Sequence, residues 1–157
     1  MKVPHSKPHP TLDRPKRIAV RSTMFHLCIG AALAAPYDVT TVAGLKGTPG
    51  TADGAGTAAR FDGPTGIALD GAQGQAYIVE WSNHAVRRLV LSTGAVTTVA
   101  GLTGTRGSAD GAGTVARFNN PRGIALDGAQ GQAFIVDRQN HAVRRLVLST
   151  GAVTTVA

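Results

Sequence analysis

The sequence predicts an all-β fold built from two copies of one four-stranded antiparallel sheet, and three observations carry that expectation. Its 157 residues hold 20 glycines against one Trp, two Tyr and four Phe, a composition of many tight turns rather than of packed helices. Residues 41–97 and 98–154 agree at 46 of 57 positions, with VTTVAGL, DGAGT, GIALDGAQGQA and NHAVRRLVLSTGAVTTVA recurring at a constant offset. Each copy also contains four short runs rich in Val, Ile, Leu, Thr or Tyr, bounded by Gly, Asn, Asp or Ser clusters, which is the pattern of short strands.

In the first copy these runs are GIALD (66–70), AYIVE (76–80), AVRRLVL (85–91) and GAVTTVA (94–100), here called a, b, c and d. Short linkers follow a (GAQGQ), b (around Ser82 and Asn83) and c (Ser92 and Thr93), so consecutive runs pair as antiparallel hairpins in a meander. Runs a and b are nearly continuous in apolar residues, as expected of strands covered on both faces. A unit of this size cannot cover its own two faces, and repetition at such a period marks a solenoid, propeller or array in which neighbours stack.

The run P-T-G-I-A-L-D, followed by A-Y-I-V-E-W-S-N-H-A-V-R-R-L and T-G-A-V-T-T-V-A-G, resembles the NHL repeat. The second copy, P-R-G-I-A-L-D to F-I-V-D-R-Q-N-H-A-V-R-R-L, resembles it more closely still. The resemblance spans about residues 38–157 and implies β-propeller blades that serve as binding platforms. The expected fold is two four-stranded antiparallel blades of an incomplete propeller, blade 1 about 66–100 and blade 2 about 123–157, within a region 37–157. Glu80 departs from the pattern, which favours the Asp seen at Asp137, and its longer side chain is expected to loosen the polar turn. Propellers close with 4 to 8 blades, so two blades leave open faces and edges. Either the chain is a fragment of a longer product, which the abrupt stop at Ala157 favours, or identical chains assemble head to tail into a closed ring.

Residues 1–36 form a leader of different character. Six Lys or Arg (Lys2, Lys7, Arg14, Lys16, Arg17, Arg21) against one Asp give it +5 of the formal net charge of +7, and the apolar stretch MFHLCIGAALAAP follows. That order resembles a secretory signal with a long basic front, which implies a secreted or extracytoplasmic protein. Organelle import is the alternative, and a start at Met24 is a third reading. The apolar stretch is too short for a membrane span, which needs ~20 residues. Its Cys28 is the single cysteine, so the repeats have neither disulfide nor thiolate metal site. With the leader set aside, the balance of charge is small and a globally polybasic surface is not expected.

In the meander, the d to a and b to c connections emerge at one end of the blade. The d to a connection, 44–65, is 22 residues long with six glycines, a length that is usually functional or disordered. Ten of the eleven positions that differ between the copies fall at this end, and only Tyr77/Phe134 lies elsewhere. Three exchanges, Pro49/Arg106, Thr65/Arg122 and Trp81/Arg138, make this end of blade 2 locally basic, and arginine pairs bidentately with carboxylate or phosphate. Trp81 is either an exposed interface anchor or packed beneath the long loop. The candidate binding residues are therefore Trp81, Arg106, Arg122 and Arg138, with Asn83, His84, Asn140 and His141 of the b to c turns.

No catalytic group and no cofactor are expected. His84 and His141 recur once per blade as metal ligands or acid/base groups would, but turn residues of this type more commonly satisfy backbone groups. Asp53 and Asp110 in ADGAG lack the several oxygen ligands that calcium requires. Adjacent Arg87/Arg88 and Arg144/Arg145 point to opposite faces of strand c and, paired with nearby Asp or Glu, are structural. The first expectation of function is a protein-binding scaffold. The alternatives are a metal-assisted lyase or hydrolase, and an RNA binder, although the aromatic platforms on which single strands stack are missing.

Overall fold

Turn chemistry sets the strand limits in the computed structural model of the chain, whose described residues are 38–157. The leader, with Cys28 and the targeting and domain readings placed on it, lies outside them. Blade 1 consists of β1 (Gly54–Ala55), β2 (Pro64–Asp70), β3 (Gln75–Glu80), β4 (Ala85–Val90) and β5 (Ala95–Ala100). Blade 2 repeats it as β6 (Gly111–Ala112), β7 (Pro121–Asp127), β8 (Gln132–Asp137), β9 (Ala142–Val147) and β10 (Ala152–Thr155). The meander β2-β3-β4-β5 is antiparallel throughout, and each sheet gains a fifth strand on its outer edge, in the orders β1-β5-β4-β3-β2 and β6-β10-β9-β8-β7.

One device closes all three hairpins of blade 1: the last turn residue adopts a left-handed backbone, at Gly74 (φ +62°), His84 (φ +54°) and Gly94 (φ +67°). In the first hairpin the Asp70 carboxylate also accepts the Gln73 N–H at 3.2 Å, as Asp127 does from Gln130. Gly94 admits no side chain, because a Cβ there would lie 2.7 Å from the Val42 carbonyl. At His84 and His141 a non-glycine residue accepts the same strained conformation.

The long connection packs along the blade rather than projecting from it. From Gly50 it runs onto the outer edge, where β1 pairs with β5 at Gly54↔Val96, and a 3-10 turn (Gly56–Ala58) then returns it to β2. Ala59 on this return is buried and Phe61 packs against the same cluster. Loop closure costs little more for a long loop than for a short one, so what decides its order is this local packing.

The main core lies between the blades. It joins Tyr77, Val79, Val86 and Ala100 of blade 1 to Phe118, Ile135, Leu146 and Val153 of blade 2. A second cluster (Ala76, Ile78, Leu89, Val96) covers the opposite face of blade 1, on which no blade packs among the described residues, so Ile67 and Leu69 of β2 are 60% and 65% exposed. The expectation of two covered faces therefore holds at the seam between the blades and not on the outer faces. Among the described residues no helix is long and apolar enough to cross a membrane.

Candidate functional site

Strand c starts beside the b to c turn, and its first arginine points inward, where it ties the long connection to the blade. Arg87 is fully buried. Its Nη1 donates to Glu80 Oε2 at 2.7 Å and to the Arg60 carbonyl at 3.1 Å, and its Nη2 to Asp53 Oδ1 at 2.7 Å and the Ala52 carbonyl at 2.9 Å. Arg144 repeats this with Asp137, Arg117, Asp110 and Ala109 at 2.7–3.0 Å. Each guanidinium also lies 5.4 Å from the ring centre of Phe61 or Phe118. A buried cation requires such partners, since desolvation alone costs several kcal/mol per ion.

The same network absorbs several candidates. Asn83 is buried and donates its amide to the Gly50 carbonyl at 2.8 Å and Glu80 Oε1 at 3.0 Å, while Asn140 donates to Gly107 and Asp137. The donors of both asparagines are thus spent inside the blade. Asp53 accepts from Thr98 as well as Arg87, and Asp110 from Thr155 as well as Arg144. The Thr155 backbone N–H, with Arg144 and the Thr155 hydroxyl, holds the Asp110 carboxyl below its ordinary value against the opposing effect of desolvation. Glu80 does not loosen its turn: it accepts from Asp62 N–H, Asn83 and Arg87 as Asp137 does from Asn119 N–H, Asn140 and Arg144. Burial nevertheless pushes the Glu80 carboxyl up, with Arg87 and the amide donors opposing.

The histidines part company. His84 Nδ1 accepts the backbone N–H of Asn120 at 3.1 Å, so the imidazole of one blade satisfies a donor of the next. Burial lowers its pKa, Arg106 lowers it further, and Asp137 opposes both. His141 is exposed, and its imidazole makes no hydrogen bond among the described residues. Nothing among these residues gathers three His, Cys, Asp or Glu side chains as a metal centre.

What remains free at this end is a rim. Trp81 is 41% exposed and lies against Gly63, where a Cβ would come within 2.1 Å of its Nε1. It is thus part anchor and part lid of the loop. Arg106, Arg122 and Arg138 are exposed and form neither ion pair nor side-chain hydrogen bond among the described residues. At the rim, Arg138 and His141 line a cleft of about 400 Å³ with Val136 and Val143. Another cleft, about 410 Å³, lies on the open face of blade 1 against Phe61, Pro64, Ile67 and Ile78. Sequence reasoning saw the inner and outer arginines of strand c but not that the inner one reaches the acidic residue of ADGAG, 34 positions away. The recurrence of that aspartate and that arginine in both copies was the available signal.

Residues 118–146 match the family model of the NHL repeat. The chain is 30% identical over 106 residues to NHL repeat-containing protein 2 of Bos taurus, an alignment covering 67% of this chain and 14% of that protein. It therefore spans only a small part of that relative's length. Among solved structures, an auxiliary nutrient binding protein of Bacteroides ovatus is 31% identical with a TM-score of 0.56, covering 74% of this chain and 28% of its own. A protein of the same description from Bacteroides thetaiotaomicron is 28% identical with a TM-score of 0.51, covering 58% and 24%.

Proposed function

The second blade carries an NHL repeat that the first repeats at 46 of 57 positions, so the chain is an NHL-repeat protein, and on that premise we propose that residues 38–157 are a protein-binding platform whose contact surface is the rim of Trp81, Arg106, Arg122 and Arg138. One observation carries this reading. Arg87 and Asp53, with their equivalents Arg144 and Asp110, are common to both repeats and are consumed in holding the long connection, whereas Trp81, Arg106, Arg122 and Arg138 are exposed at this end and stand at positions where the two blades differ. Exposed arginines at the same end of the blades as an exposed tryptophan favour a partner that offers carboxylates together with an apolar side chain.

A second reading, capture of a small nutrient, draws on the description of the two Bacteroides proteins and would use the same rim. The test is selection of a random-peptide display library on the wild-type chain, with counter-selection on W81A/R106A/R122A/R138A of equal thermal stability. Enrichment of acidic peptides with an aromatic or aliphatic residue, lost on the variant, is the expected result. Selection of the same peptides by both proteins sinks the rim as the contact surface. Binding of random-sequence RNA with a steep loss of affinity in salt would assign nucleic acid instead.

A further inference from the structure

The two open faces of the described unit are the two halves of an interface that the molecule already contains. Between the blades, the trailing face of blade 1 receives the leading face of blade 2, and Val79, Val86 and Ala100 are all fully buried there. The same residues of blade 2 are Val136, Val143 and Ala157, and they line a cleft of about 400 Å³ with His141. Val136 is 50% and Val143 36% exposed. The leading face shows the converse. Phe118 and Pro121 are fully buried in the seam, while Phe61 and Pro64 line the open cleft of blade 1.

We infer that the trailing face of blade 2 binds the leading face of blade 1 of a second copy, repeating the internal seam between chains. Polar groups match as the apolar ones do. His84 accepts an N–H from Asn120 across the seam, and His141 holds the same left-handed backbone, φ +53°, with its imidazole unpartnered among the described residues. The position equivalent to Asn120 in blade 1 is Gly63, also left-handed at φ +60°, and its N–H makes no hydrogen bond within the described unit. A second copy brings that donor to that acceptor.

One segment has to yield. Residues 39–43 carry VTTVA, the sequence of 96–100 and 153–157, so the chain has three copies of strand d for two of strands a, b and c. In the seam that place is filled by 96–100, and between copies it is filled by 153–157 of the receiving chain. Residues 39–42 of the incoming chain must then swing aside. The cost is small, because they pair with no strand and Val39 is 97% exposed where its equivalents Val96 and Val153 are buried, and the contact given up is that of the Val42 carbonyl against Gly94. The contact is heterologous, so it propagates until a ring closes, and two, three or four chains would give the 4 to 8 blades of closed propellers.

Sedimentation of the full chain and two single variants tests this. Ile67→Arg blocks the leading face and Val136→Arg the trailing face, and both positions are at least half exposed, so neither disturbs the single chain. Wild type is expected to sediment as a multiple of its 16.1 kDa mass, and each variant alone as a monomer. A mixture of the two retains one intact leading and one intact trailing face, and is expected to form a species of two chains and no larger. Wild type that stays monomeric, a variant that still assembles like wild type, or a mixture that stays monomeric overturns the inference. None of these results depends on the rim, so this test and the peptide selection fail separately.

Discussion

Arg144→Met, set against Arg145→Met, tests whether the inward guanidinium is what holds blade 2 together. In wild type the Arg144 side chain is almost fully buried, and Asp137, its partner at 2.8 Å, is fully buried too. Methionine keeps much of the packing over Phe118 but leaves the Asp137 carboxylate without its cation. Breaking a buried pair from one side costs about 3–5 kcal/mol. Orphaned carbonyls of Ala109 and Arg117 act in the same direction, at about 1–3 kcal/mol each where no water reaches them. Against a total of about 5–15 kcal/mol for a domain, we expect a loss of about 4 kcal/mol. With a urea slope of about 1.5 kcal/mol/M the unfolding midpoint falls by about 2–3 M. Arg145 is exposed and unpaired among the described residues, so its methionine variant should stay within about 0.5 kcal/mol of wild type. The assay is urea unfolding followed by circular dichroism at low protein concentration, where assembly contributes little. The double variant D137L/R144M should recover part of the loss, because it removes the stranded charge with its partner. Equal midpoints for the two single arginine variants would refute the reasoning.

Three further outcomes are expected. The folded-state pKa of His84 lies below its ordinary 6.5, so the unfolded chain takes up the proton first as pH falls. Its contribution to stability is present above about pH 6.5 and is lost as pH drops through the depressed folded value, and the drop in melting temperature from about pH 7.5 to about pH 5.5 should shrink in His84→Gln; an unchanged drop contradicts the seam contact. Phe118→Ala should cost about 3–5 kcal/mol and Phe61→Ala distinctly less, since only Phe118 is sealed between blades; equal urea midpoints would count against the seam as the main core. Gly63→Asn copies the residue of blade 2, yet its Cβ would meet the Trp81 ring, so the tryptophan emission should shift to the red as the ring is displaced into water, and an unshifted spectrum would place the ring elsewhere.

Much of this architecture is legible in the sequence because its causes are local. Strand b was expected at 76–80 and spans 75–80, and strand c was expected at 85–91 and spans 85–90, because β-branched runs and Gly, Asn or Asp turns act over a few residues. The end of the meander at which the two copies diverge could be located the same way. The long connection was read less well. Glycine content and length pointed to a functional or disordered segment, but Arg87 and Arg144 gather its carbonyls from 35 residues away, and no local pattern announces such a partner. For the same reason Asn83 looked like a surface turn residue and is buried.

The sequence by itself determined the repeat, the four-stranded meander, the turns and the end at which variation collects, since each follows from propensity and periodicity along the chain. Only the tertiary structure decided which groups are spent on holding the blade and which are left to meet a partner. Val79 and Val136 stand in near-identical sequence, yet one is fully buried and the other is half exposed, because burial belongs to whatever lies across the face and blade 1 has a neighbour there.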